Sequence, residues 1–220
     1  MALTNPNDVN VAHDSPFAPT HAHGHLQQRK EAEAAADRAR FEEELKANGG
    51  NPDEAENERK GIDLACQSLG VEMHEINPDG HCLYAAIADQ YNLLYHHKTN
   101  YQGMRKTTSE HMKSHRDDFL PFISDSDEKM AGIVNSDAGK RNNGDAFLAY
   151  CDAIESTGVW GGQPEILALS QSLDVPIWVV QSDSPTLKIG ESKRKPLLIS
   201  YHRKMYGLGE HYNSLWPSSK

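Results

Sequence analysis

The chain has 220 residues, and 37% of them are apolar, which suffices for a globular core. Its 32 acidic and 22 basic residues give a net charge of −10, which disfavours a broad surface for nucleic acid or an anionic membrane. Three scattered cysteines exclude a disulfide framework and are typical of a reducing compartment. With no apolar run that could form a secretory signal near the start, we expect an intracellular protein, in the cytoplasm or also in the nucleus.

The N-terminal quarter of the chain is poor in the large apolar residues that a core needs. Residues 1–28 are rich in Asn, Pro, His and Ala, so we expect disorder there. Residues 28–47 are good helix formers, but only Phe41 and Leu45 are large and apolar, so this helix is expected to be exposed or to depend on a partner. Residues 51–54 resemble the start of another short helix. We predict a disordered to helical extension over residues 1–59.

From residue 60 onward the apolar pattern is that of a compact domain. Helices are expected around Ile62, Cys66 and Leu69, from Cys82 onward, and in three later segments (103–122, 147–154 and 163–173). Strands are expected over residues 71–76, 175–181, 186–189, 196–201 and 212–216. Because most helices precede most strands, the sequence predicts an α+β fold.

The segment Asp79-Gly80-His81-Cys82 places a cysteine at the start of a helix, directly after a tight turn. The N–H groups and the dipole at a helix N-terminus stabilise a thiolate, so the pKa of Cys82 is expected to be lowered. The same N–H groups, with those of the Asp79–Gly80 turn, are placed to bind a developing oxyanion. A cysteine that only packs at this position fits the pattern equally well.

A cysteine nucleophile needs a base, and His211 is the best candidate among the 12 histidines. In an extended segment, residues i and i+2 lie on the same side, so the amide of Asn213 could orient the His211 imidazole. An early cysteine followed by a late histidine is the order of papain-like enzymes. A surface histidine on a late strand is the alternative interpretation.

Four segments, in this order, resemble the motifs of the OTU (ovarian-tumour) domain cysteine proteases. Residues 79–87 resemble the nucleophile motif, residues 160–170 the central motif, residues 176–185 the strand and turn that follow, and residues 210–214 the histidine motif. The resemblance extends over roughly residues 60–217. It is greatest to the eukaryotic subfamily that includes the fungal ribosome-associated OTU deubiquitinases.

This resemblance implies a papain-like OTU fold, in which a small mixed β-sheet is packed between helices, and an OTU catalytic domain over residues 60–220. It implies a deubiquitinase that hydrolyses the isopeptide bond between the ubiquitin C-terminal glycine and a lysine. Cys82 would form a thioester, His211 would act as general base and acid, and Asn213 would orient the histidine. Asp79 matches the motif aspartate, and it either assists this triad or caps the Cys82 helix.

Gly80, His81, Trp160, Gly161 and Gly162 are the expected substrate-binding residues. Two glycines leave room for a second backbone, and the ubiquitin tail ends in two glycines. A tight turn with a core tryptophan is the alternative for residues 160–162. The expected partners are ubiquitin or polyubiquitin chains, with ribosome-associated substrates suggested by the subfamily, and with no direct contact to nucleic acid or membrane.

The implied chemistry requires neither a metal nor an organic cofactor. His21, His23 and His25 alternate, but nothing at a familiar spacing completes a metal site. Two other functions compete with the enzyme: a ubiquitin-binding module, or an adaptor with little turnover. The same chemistry on a ubiquitin-like modifier is a further possibility.

Three remaining signals are assigned to structure. Residues 193–195 are basic and are expected to form a solvated hairpin loop between two strands. Cys66 and Cys151 lie on apolar helix stripes, so we expect both to be buried and inert. Trp178, within an apolar strand, is expected in the core.

Overall fold

The computed structural model describes residues 52–123, 145–206 and 209–218, together with the isolated positions Glu43, Ala47 and Ile133. The disorder predicted over residues 1–28 and the three alternating histidines therefore lie outside the described residues. The same holds for the predicted helix over residues 28–47, apart from the two isolated positions within it.

The described domain combines helices and strands, which confirms the predicted α+β class. Its helices are α1 (Pro52–Leu69), α2 (Cys82–Tyr95), α3 (Tyr101–Ser114), α4 (Arg116–Phe119), a 3-10 turn (Leu120–Phe122), α5 (Ala146–Ser156) and α6 (Gln163–Leu173). Its strands are β1 (Val71–His74), β2 (Ile177–Val180), β3 (Leu187–Ile189), β4 (Leu197–His202) and β5 (His211–Pro217). None of the helices in these ranges is both long enough and apolar enough to cross a membrane.

The five strands form one mixed sheet in the order β1-β5-β4-β2-β3. Strands β2 and β4 are parallel, and the other neighbouring pairs are antiparallel. Strand β5 lies between β1 and β4, with His211 opposite His202 and Ser214 opposite His74. The strand that carries His211 and Asn213 is therefore held on both sides.

The sheet is packed between helices, as predicted. The larger cluster joins buried side chains of α2, α3, α5 and α6 to Val179, Ile199 and Tyr212. The smaller cluster joins Ile62 and Cys66 of α1 to side chains of β1, β2 and β5: Val71, Val180 and Leu215. Successive side chains of a strand face opposite sides, so Val179 and Val180 enter different layers, which explains why β2 is apolar throughout.

Helix α1 is a single helix of 18 residues, whereas the sequence predicted two short helical segments. It approaches the chain after β2 so closely that a Cβ added at Gly61 would lie 2.7 Å from the Cβ of Ser182. Its Glu58 is buried. A domain boundary between residues 59 and 60 would divide this helix.

Residues 103–122 do not form the one helix that was predicted. Helix α3 ends at Ser114, whose hydroxyl donates to the carbonyls of Glu110 and His111 and so competes with the helical hydrogen bonds. His115 leaves the helical conformation, and the four-residue α4 and a 3-10 turn follow.

Two expectations for the β-rich part were wrong. Trp178 is half-buried rather than in the core, and the Lys188 ammonium lies 4.2 Å from the centre of its ring. The basic residues 193–195 do not close a hairpin, because β3 and β4 pair with opposite sides of β2. Arg194 instead stacks 4.1 Å above the Tyr95 ring.

Candidate active site

Cys82 is the first residue of α2 and is buried at the end of the turn that follows β1. Asp79 closes this turn: its Oδ1 accepts a 2.7 Å hydrogen bond from the His81 N–H. The backbone carbonyl of Asp79 accepts a longer bond, 3.3 Å, from the Cys82 N–H. The N–H groups at the start of this helix were expected to face an oxyanion, and in this structure the Cys82 N–H is engaged by Asp79. The long bond from Cys82 is the weaker one and the easier to exchange for a substrate oxygen.

Burial is the main influence on the Cys82 thiol, and it raises the pKa above the ordinary value. Backbone groups of Tyr212, Leu83 and Cys82 itself lower this pKa, but they offset only part of the desolvation. The lowered pKa predicted from the helix N-terminus is therefore wrong. With its pKa raised, Cys82 rests as a thiol at neutral pH.

His211 is buried at the start of β5, and Asn213 holds its ring. Asn213 Oδ1 lies 2.9 Å from His211 Nε2 and also accepts a 2.8 Å hydrogen bond from the Ile76 N–H. A backbone N–H can only donate, so the Asn213 atom at this position is the oxygen. His211 Nε2 must then carry the proton. In the neutral ring, Nδ1 is left with the lone pair that can accept the thiol proton.

Burial also lowers the pKa of His211. The hydrogen bond that His211 donates to Asn213, the backbone of Ile76 and the negative charge of Asp79 oppose this shift only in part. The imidazole is therefore neutral at physiological pH. A neutral imidazole within reach of a neutral thiol can act as a general base, removing the proton as the sulfur attacks.

Cys82 and His211 open onto adjoining clefts. A cleft of about 200 Å³ is lined by His211 and Asp79, and a smaller cleft beside it is lined by Cys82 and Tyr212. Gly80, Trp160 and Glu210 line both clefts. The two candidate catalytic groups thus line neighbouring clefts that share three residues, Trp160 among them; together these clefts are called the groove.

Gln90 fixes the helix of Cys82 against the strand of His211. Its side-chain Nε2 donates to Ser214 Oγ (2.9 Å) and to the carbonyl of Leu215 (2.6 Å), both in β5. Its Oε1 accepts from the N–H of Leu198 in β4. Because Gln90 is almost fully buried, these bonds form away from water and set the position of α2 on the sheet.

Arg105 fixes the loop of Cys82 from the other side. Its guanidinium is 1% exposed; Nε donates to His81 Nδ1 (3.0 Å) and Nη2 to the carbonyl of Gly80 (2.5 Å). The other bonds reach the carbonyls of Ile154 and Val159. One planar cation thus ties the nucleophile loop to α5 and to the segment that leads to Trp160.

The expected substrate-binding residues take different positions. Trp160 is 42% exposed on the groove, which excludes the alternative of a core tryptophan. Gly161 lines the smaller cleft and approaches Leu83 and Tyr84 so closely that an added Cβ would lie within 2.8 Å of both side chains. Gly162 caps α6 and donates its N–H to Glu165.

Gly80 and His81 complete this set. An added Cβ at Gly80 would lie 2.3 Å from the carbonyl oxygen of Gly158, so the nucleophile loop contacts its neighbour backbone to backbone. The His81 ring stacks on Tyr101, with ring centres 4.3 Å apart, and accepts from Arg105. The His81 side chain is therefore held by Tyr101 and Arg105, and its backbone N–H is bonded within the turn.

Several residues of the site were not predicted. Tyr206 packs against the His211 ring, with centres 4.1 Å apart, and its hydroxyl accepts a 2.7 Å bond from Asn213 Nδ2. Glu210 lines both clefts, and the sequence offered only its position beside His211 as a signal. Within the described ranges, no three His, Cys, Asp or Glu side chains are grouped so that they could hold a metal ion.

Comparison with known proteins places this site in a family. The family model for OTU-like cysteine proteases matches residues 77–212. Human deubiquitinase OTUD6B is 39% identical over 193 residues, which is 86% of this chain and 61% of the human protein. OTU domain-containing protein 2 of Saccharomyces cerevisiae is 35% identical over 173 residues, which is 76% of this chain and 52% of the yeast protein. The chain thus matches just over half to about three fifths of the length of these relatives.

Among solved structures, the OTU domain of OTUD1 aligns with a TM-score of 0.51 over 72% of this chain and 94% of that domain. At 24% identity, this match supports the fold alone. The family model spans Cys82 and His211 in the order that the motifs require, and the sheet lies between helices as that fold demands. The chain belongs to the OTU-like cysteine protease family.

Proposed function

We propose that the protein is a thiol-dependent deubiquitinase that hydrolyses the isopeptide bond between the C-terminal glycine of ubiquitin and a lysine. The observation that carries this proposal is the tautomer of His211 that Asn213 sets: Nε2 carries the proton that is bound to Asn213, so the basic lone pair is on Nδ1. Membership of the family and the names of the relatives, deubiquitinase OTUD6B in human and ubiquitin thioesterase otu2 in Schizosaccharomyces pombe, support the choice of substrate.

The reaction follows from the resting protonation states. His211 Nδ1 takes the proton from the Cys82 thiol as the sulfur attacks the glycine carbonyl, and the carbonyl oxygen becomes an oxyanion. The imidazolium then protonates the lysine nitrogen, the C–N bond breaks, and ubiquitin is held as a thioester. A water molecule that gives its proton to His211 attacks the thioester carbonyl. The products are ubiquitin with a free carboxylate and the Cys82 thiol.

The groove has features that suit the end of ubiquitin. The carboxylates of Asp79 and Glu210 line it and would attract a basic tail segment. Gly80 and Gly161 line the groove without adding a side chain to it. Trp160 offers an apolar surface across which a flat diglycine segment can extend.

A ubiquitin probe with a thiol-reactive group at its C-terminus tests this proposal. The wild-type protein and the Cys66→Ala control, which removes a buried thiol outside the groove, should each gain one ubiquitin. Cys82→Ala should gain none and should fail to release a fluorophore from a ubiquitin conjugate. Labelling of Cys82→Ala, or wild-type protein that neither labels nor cleaves, would contradict the proposal.

A binding module or adaptor with little turnover is the less favoured function, because binding alone needs neither the His211 base nor the Asn213 amide that fixes it. We also propose that the protein acts in the cytoplasm or nucleus, where the nucleophile stays a free thiol. Ribosome-associated conjugates are a substrate class that we propose from the subfamily resemblance alone. Cosedimentation of the Cys82→Ala protein with ribosomes, compared with the wild type, tests it.

A further inference from the structure

Three successive backbone N–H groups in the turn after β4 point at one carboxylate, that of Glu58 in α1. The Arg203 N–H donates to Oε1 (2.8 Å), and those of Lys204 and Met205 donate to Oε2 (2.9 and 2.7 Å). Glu58 is 8% exposed, so these charge-assisted bonds form largely out of water. Such a row of N–H groups around an anion fixes the conformation of the backbone that supplies it.

The next residue of this turn is Tyr206, which contacts both His211 and Asn213. Its ring packs on His211, and its hydroxyl accepts from Asn213 Nδ2. Asn213 in turn sets the tautomer of His211. A continuous series of contacts therefore runs from α1 through the turn to the candidate base.

Within this series of contacts, Glu58 is the residue that holds the turn. Arg203 and Lys204 have exposed side chains, so burial of apolar groups does not hold the turn at these two positions. In the described part of the chain, the acceptor for all three N–H groups is Glu58. A second contact from the same helix, the 2.8 Å pair of Glu54 with the Lys204 ammonium, is exposed and worth little by comparison.

We infer that Glu58 is a positioning residue of the active site: by holding residues 203–205, it presses Tyr206 against His211 and Asn213. For its effect on turnover, this inference rests on the proposed function. It also makes α1 part of the catalytic unit, although it begins upstream of the motifs that define the family. A truncated chain that starts at residue 60 should therefore fold less well and lose activity, even though it retains Cys82, His211 and Asn213.

Nuclear magnetic resonance of the His211 ring protons tests the inference without any substrate. The Tyr206 ring shifts these resonances through its ring current, and Tyr206→Ala gives the position expected when this contact is lost. Glu58→Gln keeps the size of the side chain but replaces one acceptor oxygen by a donor, so the His211 resonances should move towards the Tyr206→Ala position. Glu56→Gln, an exposed glutamate whose partners are Arg59 and Lys60 of the same helix, should leave them in place.

A double-mutant cycle on turnover gives the second test. Glu58→Gln should lower kcat/KM roughly 10- to 100-fold, the cost of displacing a catalytic group by a fraction of an ångström to an ångström. In the Tyr206→Ala background the same change should lower kcat/KM much less, about threefold or below, because the Tyr206 contact through which Glu58 acts is already absent. If Glu58→Gln does not fold, Glu58→Asp, which keeps both oxygens on a shorter stem, replaces it in both tests.

The outcomes separate this inference from the proposed function. His211 resonances that do not respond to Glu58→Gln, or equal losses in both backgrounds, would overturn the positioning role. A wild-type protein that does not cleave ubiquitin, but whose His211 resonances respond as described, would refute the deubiquitinase and leave the positioning role intact.

Discussion

Nε of Arg105 donates a 3.0 Å hydrogen bond to Nδ1 of His81, the residue directly before Cys82, the candidate nucleophile. The same guanidinium holds the carbonyl of Gly80. The loop that carries the nucleophile is thus shaped by a cation that never reaches the groove.

Replacing Arg105 should therefore impair both the site and the fold. Arg105→Lys keeps a charge but loses the planar fork, so several carbonyls lose their donor. We expect at least a tenfold lower kcat/KM and about 1–3 kcal/mol lower stability. Kinetics and urea unfolding measure the two effects. The neighbouring Lys106→Ala removes an exposed ion pair and should change neither; an Arg105→Lys enzyme with wild-type kinetics would contradict the assigned role.

Substitution of His211 should lower kcat more than substitution of Asn213. His211→Ala removes the base and should cost on the order of 10³-fold or more in kcat. Asn213→Ala removes only the group that orients the ring, so we expect a loss of about 10- to 100-fold. Steady-state kinetics with a fluorogenic ubiquitin conjugate measure both. A loss in Asn213→Ala as large as that in His211→Ala would give the amide more than an orienting role.

The pH dependence of kcat/KM and of Cys82 alkylation should show that Cys82 and His211 are both uncharged in the resting protein. Because the pKa of His211 is lowered, the base stays unprotonated as pH falls through the ordinary histidine value of 6.5, and kcat/KM should persist below it. Because the pKa of Cys82 is raised, its alkylation by iodoacetamide should still increase above pH 9.0. Rates of both reactions between pH 5 and 10 test this. Alkylation that is already maximal at pH 7 would indicate a preformed thiolate and contradict it.

His202 should make the fold sensitive to acid. Burial lowers its pKa from 6.5 to about 3, so the unfolded chain binds a proton below pH 6.5 that the folded protein excludes. Stability is therefore full above pH 6.5 and is lost as pH falls towards 3, by about 2 kcal/mol between pH 6.5 and 5. Urea unfolding at pH 7 and pH 5 measures the difference. In His202→Gln this difference should shrink; an unchanged difference would assign the acid sensitivity to other groups.

The two glycines that meet beside the nucleophile should not be equivalent. Gly80→Ala forces a Cβ against the carbonyl of Gly158, so we expect a shifted loop, about 1–3 kcal/mol lower stability and loss of activity. Gly158→Ala is the matched control, because its nearest neighbour would be His81 at an ordinary 3.8 Å. Thermal unfolding and probe labelling compare them. Equal tolerance of both changes would show that the loop can yield at Gly80.

Local sequence patterns predicted most elements of this fold because each depends on near neighbours. The helices predicted around Ile62, Cys66 and Leu69 and from Cys82 onward are both present in the structure. The order of the strands could not be predicted, since β5 enters the sheet between β1 and β4, which are distant in the chain. The break after Ser114 depended on a hydroxyl that turned back onto its own helix.

The residues of the candidate site also fall into those that local sequence could predict and those that it could not. Cys82, His211 and Asn213 could be predicted because a helix start and the i, i+2 spacing of a strand are local. Glu58, Gln90 and Arg105 could not, since each is a polar residue on a helix and has the sequence appearance of a surface residue. Their partners lie far along the chain, and those of Glu58 are 145 to 147 residues away.

The contact between Gln90 and Ser214 spans 124 residues of the chain, so the helix of Cys82 acquires its place only when β5 has been made. During synthesis, the segment with the thiol leaves the ribosome long before the segment with the imidazole. If the proposed mechanism holds, a nascent chain that lacks β5 has the thiol but not the imidazole, so it should be inactive until β5 inserts between β1 and β4, which are already made. Activity should then report completed folding, and a ubiquitin probe directed at Cys82 should count the molecules that have completed it.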